Sequence, residues 1–152
     1  MNNEASFCLT RLLAPEISME TINDIKEITE GESWRTMGGF EVVTDSQSIK
    51  LLINNQQDCR ENFGYFWCND DPKYFIGAAL CDVAITDKEL NEAKMKENKL
   101  NPNDRLFEGG VMFVNLETDR GTLQFVAYNE HNGYYGHKAK VTCKQLEHSE
   151  IL

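Results

Sequence analysis

Proline is scarce in this 152-residue chain, at three residues, and basic side chains are outnumbered, with 15 Lys and Arg against 25 Asp and Glu. The net charge of −10 repels a phosphate backbone, which argues against general nucleic-acid binding. No apolar run approaches the roughly 20 residues that cross a bilayer, so no membrane partner is expected. The opening stretch MNNEASFCLTRLLAPE has a short apolar patch broken by Arg11 and no basic leader, so it does not read as a secretory signal. A cytoplasmic location is the simplest expectation. The five cysteines, Cys8, Cys59, Cys68, Cys81 and Cys143, are odd in number, and no C-x-x-C occurs. A zinc site is therefore not signalled, and reduced thiols are expected. Glycine-rich phosphate loops of the Walker or dinucleotide type are missing as well. Nothing in the chain signals a cofactor, a metal site or a catalytic group.

What is present suits one globular domain. The apolar fraction is 41%, with eight Phe, and a chain of this length buries roughly 70% of its unfolded surface. The expected organisation is an N-terminal arm over residues 1–20 and a single domain over 21–152. Residues 21–31, TINDIKEITEG, fit either a helical stripe or a strand. Residues 39–45, 48–55, 62–69 and 78–86 read as strands. Between the last two, Asp71 is placed to cap, Pro72 to start and Gly77 to end one or two helical turns. Thr86-x-x-Glu89 reads as a capping box for a helix running to about Lys99. With Leu90, Ala93 and Met95 as its apolar residues, that helix reads as a polar insert over 87–108, solvated or offering a charged face to a partner.

The C-terminal third reads as a meander of strands 110–118, 122–128 and 138–146. Asp119-Arg120-Gly121 makes the first turn and Asn132-Gly133 the second, because both Asn and Gly tolerate positive φ. In that hairpin His131 faces Tyr134 and Tyr128 faces His137, which sets the two histidines about 10 Å apart, too far to share a metal ion. The fold class expected is α+β, mostly antiparallel β-sheet built as a meander of hairpins, with two short helices. The segment FVAYNEHNGYYGHKAKV, 125–141, concentrates neutral donors, acceptors and rigid aromatic rings. Such a set suits stacking on a base and reading its edge, or else cross-strand packing and turn formation.

Three blocks, NQQDCREN, DDPKYFIGAAL and GTLQFVAYNEHNGYYGHKAKV, resemble a small phage and mobile-element domain family that includes the Thoeris anti-defence 1 proteins. The matching residues are Gln57, Asp58, Cys59 and Glu61, then Ile76 and Gly77, then Asn132, Gly133, Tyr134 and Tyr135. The resemblance spans roughly residues 21–146. It implies a compact, mostly antiparallel β-domain that assembles into homo-oligomers in the host bacterial cytoplasm. It also implies a sponge that holds cyclic ADP-ribose-type immune signalling nucleotides without cleaving them, and it tips residues 21–31 towards a strand. With the polar groups of the hairpin tip and Arg60, which no motif places, the candidate ligand-binding residues are Gln57, Asp58, Arg60, Asn129, His131, Asn132, Tyr134 and Tyr135. One position departs: an arginine in the relatives' strand before N-G-Y-Y is Val126 here, leaving Arg60 or Arg120 to meet a phosphate. The alternative reading of the acidity is a protein-binding inhibitor of a bacterial defence nuclease, acting as an anti-CRISPR or a DNA mimic.

Overall fold

The computed structural model describes residues 19–57, 61–98, 100, 108–131, 133 and 135–152; most of the expected N-terminal arm lies outside them. Nine strands follow in chain order: β1 (Glu20–Glu30), β2 (Met37–Thr44), β3 (Ser48–Asn54), β4 (Asn62–Trp67), β5 (Ala79–Thr86), β6 (Glu108–Thr118), β7 (Gly121–His131), β8 (Lys138–Thr142) and β9 (Glu147–Ile151). A 3-10 turn at Pro72–Phe75 and one short helix, α1 (Glu92–Glu97), complete the described elements. The strands form a single sheet ordered β4-β7-β6-β5-β1-β2-β3-β8-β9, and every pairing is antiparallel. The mainly antiparallel β expectation therefore holds.

β1 joins the two halves of this sheet. Its first residues pair with β5, Glu20 opposite Leu80 and Thr21 opposite Ala79, and the rest pairs with β2 after an irregularity between Ile22 and Asp24. Such a bulge bends a strand. The halves β4–β7–β6–β5 and β2–β3–β8 then share one core, in which Ile22, Val42, Leu51, Ile53, Val114, Leu116, Phe125 and Val141 are solvent-free. Phe40 of β2 bridges the halves. Its ring lies 4.8 Å from that of Trp67, 5.4 Å from that of Tyr65 and 6.1 Å from that of Phe125. A second cluster forms on the other face of β4, β7 and β6, where Phe66, Cys68, Phe113, Val126 and Tyr128 gather with Met95 of α1 and with Leu100.

Several expectations are corrected. The insert is not a wet excursion, because Met95 and Leu100 are buried against the sheet. α1 is capped by Asn91, whose Oδ1 accepts from the N–H groups of Ala93 at 3.1 Å and Lys94 at 3.3 Å. Thr86 cannot cap it, since Thr86 ends β5 six residues before the helix starts at Glu92. The 3-10 turn starts at Pro72 as expected, but Asp71 makes no side-chain cap bond. Only the first half of the meander exists. β6 and β7 form a hairpin, with Thr118 opposite Gly121, whose φ of 105° needs glycine. β7 does not pair with β8. The chain after His131 crosses to the other half, where β8 lies between β3 and β9. Tyr128 therefore faces Gly64 and Val111, not His137. The strand expected over 138–146 stops at Thr142, and the chain turns over 143–146 before continuing as β9. Of residues 21–31, all but Gly31 are strand.

The cysteines also differ from the expectation of five reduced thiols. Cys68 and Cys143 are free, whereas Cys81 is disulfide-bonded. Sequence spacing carries no information on which sulfurs a fold brings within bonding distance. Among the described residues, no helix is long and apolar enough to cross a membrane.

Candidate binding rim

The sheet folds over at the β1 irregularity, and two contacts between its halves, His137 with Glu61 and Asn129 with Leu152, gather one set of strand ends at a single rim: the ends of β1, β3, β7 and β9 and the starts of β2, β4, β6 and β8. Both sequence blocks singled out above reach it. β4 starts directly after Glu61, and its pairing sets Asn62 opposite Glu130 and Phe63 opposite Asn129. Glu61 thus lies beside the end of β7.

A buried polar strut ties these segments together. His137 is 1% exposed, and its Nδ1 lies 2.6 Å from the carbonyl oxygen of Asn54. A carbonyl only accepts, so Nδ1 carries a proton and donates. Nε2 lies 3.3 Å from Glu61 Oε1, and one proton must sit between them for the contact to be a hydrogen bond. The ring of Phe63 stacks on the imidazole at 4.1 Å. The backbone of His137 exchanges two hydrogen bonds with Leu152, which brings the end of β9 to the same place.

Asn129 is fully buried. Its amide donates to the carbonyls of Tyr135 at 2.7 Å and Leu152 at 3.0 Å, so it pins the loop after β7. Its Oδ1 is buried with no hydrogen-bond partner. His131 Nδ1 accepts from the N–H of Gly133 at 2.9 Å and, more weakly, of Tyr135 at 3.4 Å. Gln57 is exposed, and its amide donates to the carbonyl of Glu61 at 3.0 Å. Tyr135 is half-buried. Asp58, Arg60, Asn132 and Tyr134 lie outside the described residues. Among the described candidates, then, Gln57, Asn129, His131 and Tyr135 converge at the rim, with Asn129 and His131 organising its backbone.

Arg120 does not reach this place. It lies in the β6–β7 turn, at the far end of the 11-residue β7, roughly 37 Å from His131 along the strand at about 3.4 Å per residue. Its guanidinium donates to the carbonyls of Tyr74 at 2.8 Å and Ile76 at 2.9 Å, closing the 3-10 turn. Val126 is solvent-free in the cluster with Met95 and Leu100. Met95 and Leu100 of the insert therefore cover this strand position.

Sequence reading passed over a neighbouring turn, residues 31–36, between β1 and β2. Asn55 N–H donates to Thr36 O at 3.2 Å, and the Gln56 amide donates to Ser33 O at 3.3 Å, so this turn adjoins the rim segment. It carries Trp34, 62% exposed, with Arg35 Cζ 4.2 Å from the ring centroid. The available signal was an S-W-R tripeptide at a strand end, too short for a motif.

The thiols are poor nucleophiles, since burial pushes both Cys68 and Cys143 above the ordinary cysteine range. Among the described residues no group of three His, Cys, Asp or Glu is arranged to hold a metal ion. Larger clefts lie elsewhere. One of about 550 Å³ runs between β5, β6 and Glu150, and one of about 420 Å³ lies beside Cys68, Asp71, Tyr74 and Asn91.

A family model described as a domain of unknown function (DUF7448) matches residues 20–141. The chain belongs to that family. The matched span opens with β1 and closes in β8, so it takes in both segments that meet at the rim. No curated protein and no solved structure matches this chain.

Proposed function

We propose that this DUF7448 protein is a binder and not a catalyst. It sequesters a cyclic ADP-ribose-type signalling nucleotide at the rim, as a phage-type anti-defence protein working as a homo-oligomer in the bacterial cytoplasm. The observation that carries this reading is the convergence of Gln57 and Glu61 with Asn129, His131 and Tyr135, held by the His137–Glu61 strut. Buried, hydrogen-bonded supports preorganise the loops they hold, and preorganisation lowers the entropic cost of gripping a small ligand. Retention without turnover is favoured because the His131 Nδ1 and the Asn129 amide are occupied with backbone groups. The resemblance of the N-G-Y-Y and Q-D-C-x-E blocks supplies the ligand class.

Calorimetric titration with cyclic ADP-ribose isomers tests this, followed by denaturation and mass spectrometry of what is released. Tight binding with intact nucleotide recovered is expected. No heat with any isomer, or release of a cleaved product, would refute the reading. The net charge of −10 favours a second reading, an acidic inhibitor bound to a defence nuclease. Recovery of a nuclease with the tagged protein, and no small molecule on denaturation, would favour that one.

A further inference from the structure

Trp34 and Arg35 stand on a turn that is built to present them. Gly31 has φ 95°, and a Cβ there would lie 2.4 Å from the carbonyl oxygen of Arg35, so the turn closes this tightly only with glycine. Arg35 N–H donates back to Glu32 O at 3.2 Å, and Ser33 takes a φ of 57°, uncommon for a residue with a side chain. The turn is stitched to the rim through Asn55 and Gln56, one residue before Gln57. It holds a large aromatic ring in solvent, in a chain whose other tryptophan, Trp67, is 7% exposed in the core.

The charge on this turn is available. Arg120, the other arginine among the described residues, spends its guanidinium on two carbonyls. Glu30, the acid closing β1, is already paired with Lys50. Arg35 is exposed, and its guanidinium lies over Trp34 with no ion pair to any described residue. An aromatic face beside an uncommitted guanidinium has the two components a nucleotide needs: a surface for a base to stack on and a planar donor for phosphate oxygens.

We propose that Trp34 and Arg35 form the base-and-phosphate subsite of the rim, taking a nucleobase against the indole and a phosphate group on the guanidinium. This rests on the nucleotide-binding reading above and deepens it. Arg35 supplies the cationic contact that Val126, sealed beneath Met95 and Leu100, does not.

The test is calorimetry with cyclic ADP-ribose and its isomers on wild type, Trp34→Ala, Arg35→Gln and Arg35→Lys, with tryptophan fluorescence read in parallel. Both side chains are exposed, so thermal unfolding should be unchanged in all three variants. Trp34→Ala and Arg35→Gln should each weaken binding about tenfold or more, with Arg35→Lys in between, because an ammonium keeps the charge but loses the bidentate fork. Ligand should quench the emission of the wild type, and Trp34→Phe should abolish that change. If wild type binds while Trp34→Ala and Arg35→Gln bind equally well, the subsite is refuted and the nucleotide reading stands. If wild type binds no isomer, both fall.

Discussion

His137 Nε2 and Glu61 Oε1 lie 3.3 Å apart, with both side chains shut off from solvent. The residues come from opposite halves of the sheet: Glu61 precedes β4 at one edge, and His137 precedes β8, which pairs with β3. The contact therefore locks the halves together at the rim, and Phe63 stacked on the imidazole screens it.

Replacing His137 by Phe keeps the stack on Phe63 but removes the bonds to Asn54 and Glu61. Chemical denaturation should show a loss of about 1–3 kcal/mol, the usual cost of spoiling buried hydrogen bonds. In a double-mutant cycle with Glu61→Leu, the coupling should exceed about 0.5 kcal/mol. A purely additive cycle would mean the strut is incidental.

Val126→Arg should not create a phosphate contact. The position is closed by Met95, Leu100 and Phe113, and an unpaired guanidinium there lacks both solvent and partner. A loss of several kcal/mol is expected, visible as a lower Tm with no gain in nucleotide affinity. Met95→Ala in the wild type should cost about 2–5 kcal/mol through the cavity it leaves, which would confirm that the insert is part of the fold.

Tyr65 provides a pH signature. Its hydroxyl donates to Glu27 at 2.8 Å, and loss of surrounding water, then the Glu27 hydrogen bond and charge, push its pKa from 10.0 up to about 12. The folded state thus holds the phenol proton more tightly than the unfolded state. This contribution to stability is complete below about pH 10 and is lost as pH rises through about 12. Thermal unfolding across that window should fall more steeply for wild type than for Tyr65→Phe. Burial also raises Tyr128, so phenolate absorbance should show a late-titrating component that the substitution reduces but does not remove.

Cys68 and Cys143 should alkylate slowly in the native protein, because burial raises both above the ordinary thiol range. Iodoacetamide mass mapping at pH 8 should find them largely unmodified until denaturant is added. Rapid labelling of either would mean that its site opens readily.

Much of the strand layout was legible beforehand, since apolar alternation and turn residues are local properties. The β6–β7 hairpin is the clearest instance, with Asp119-Arg120-Gly121 marking its turn. Asn132-Gly133 looked equally clear and misled, because a strand's alternation suits any partner and does not name one. β8 has a buried Ala139 and Val141 whether it pairs with β7 or with β3, and it pairs with β3. The α1 start was misplaced for a related reason: Thr86-x-x-Glu89 satisfies a capping pattern, but tertiary pairing keeps Thr86 in β5 and leaves Asn91 to cap.

By itself the sequence determined a β-rich chain with strands at these places, an acidic surface and two unusual polar–aromatic blocks, since composition and short-range pattern carry all of that. Only the tertiary structure decided that the two blocks meet, that Val126 is sealed while Arg35 is open, and that Arg120 serves the opposite end. Those outcomes depend on which strand lies beside which, and pairing across a folded sheet is set by the packing of the whole core, not by any one segment.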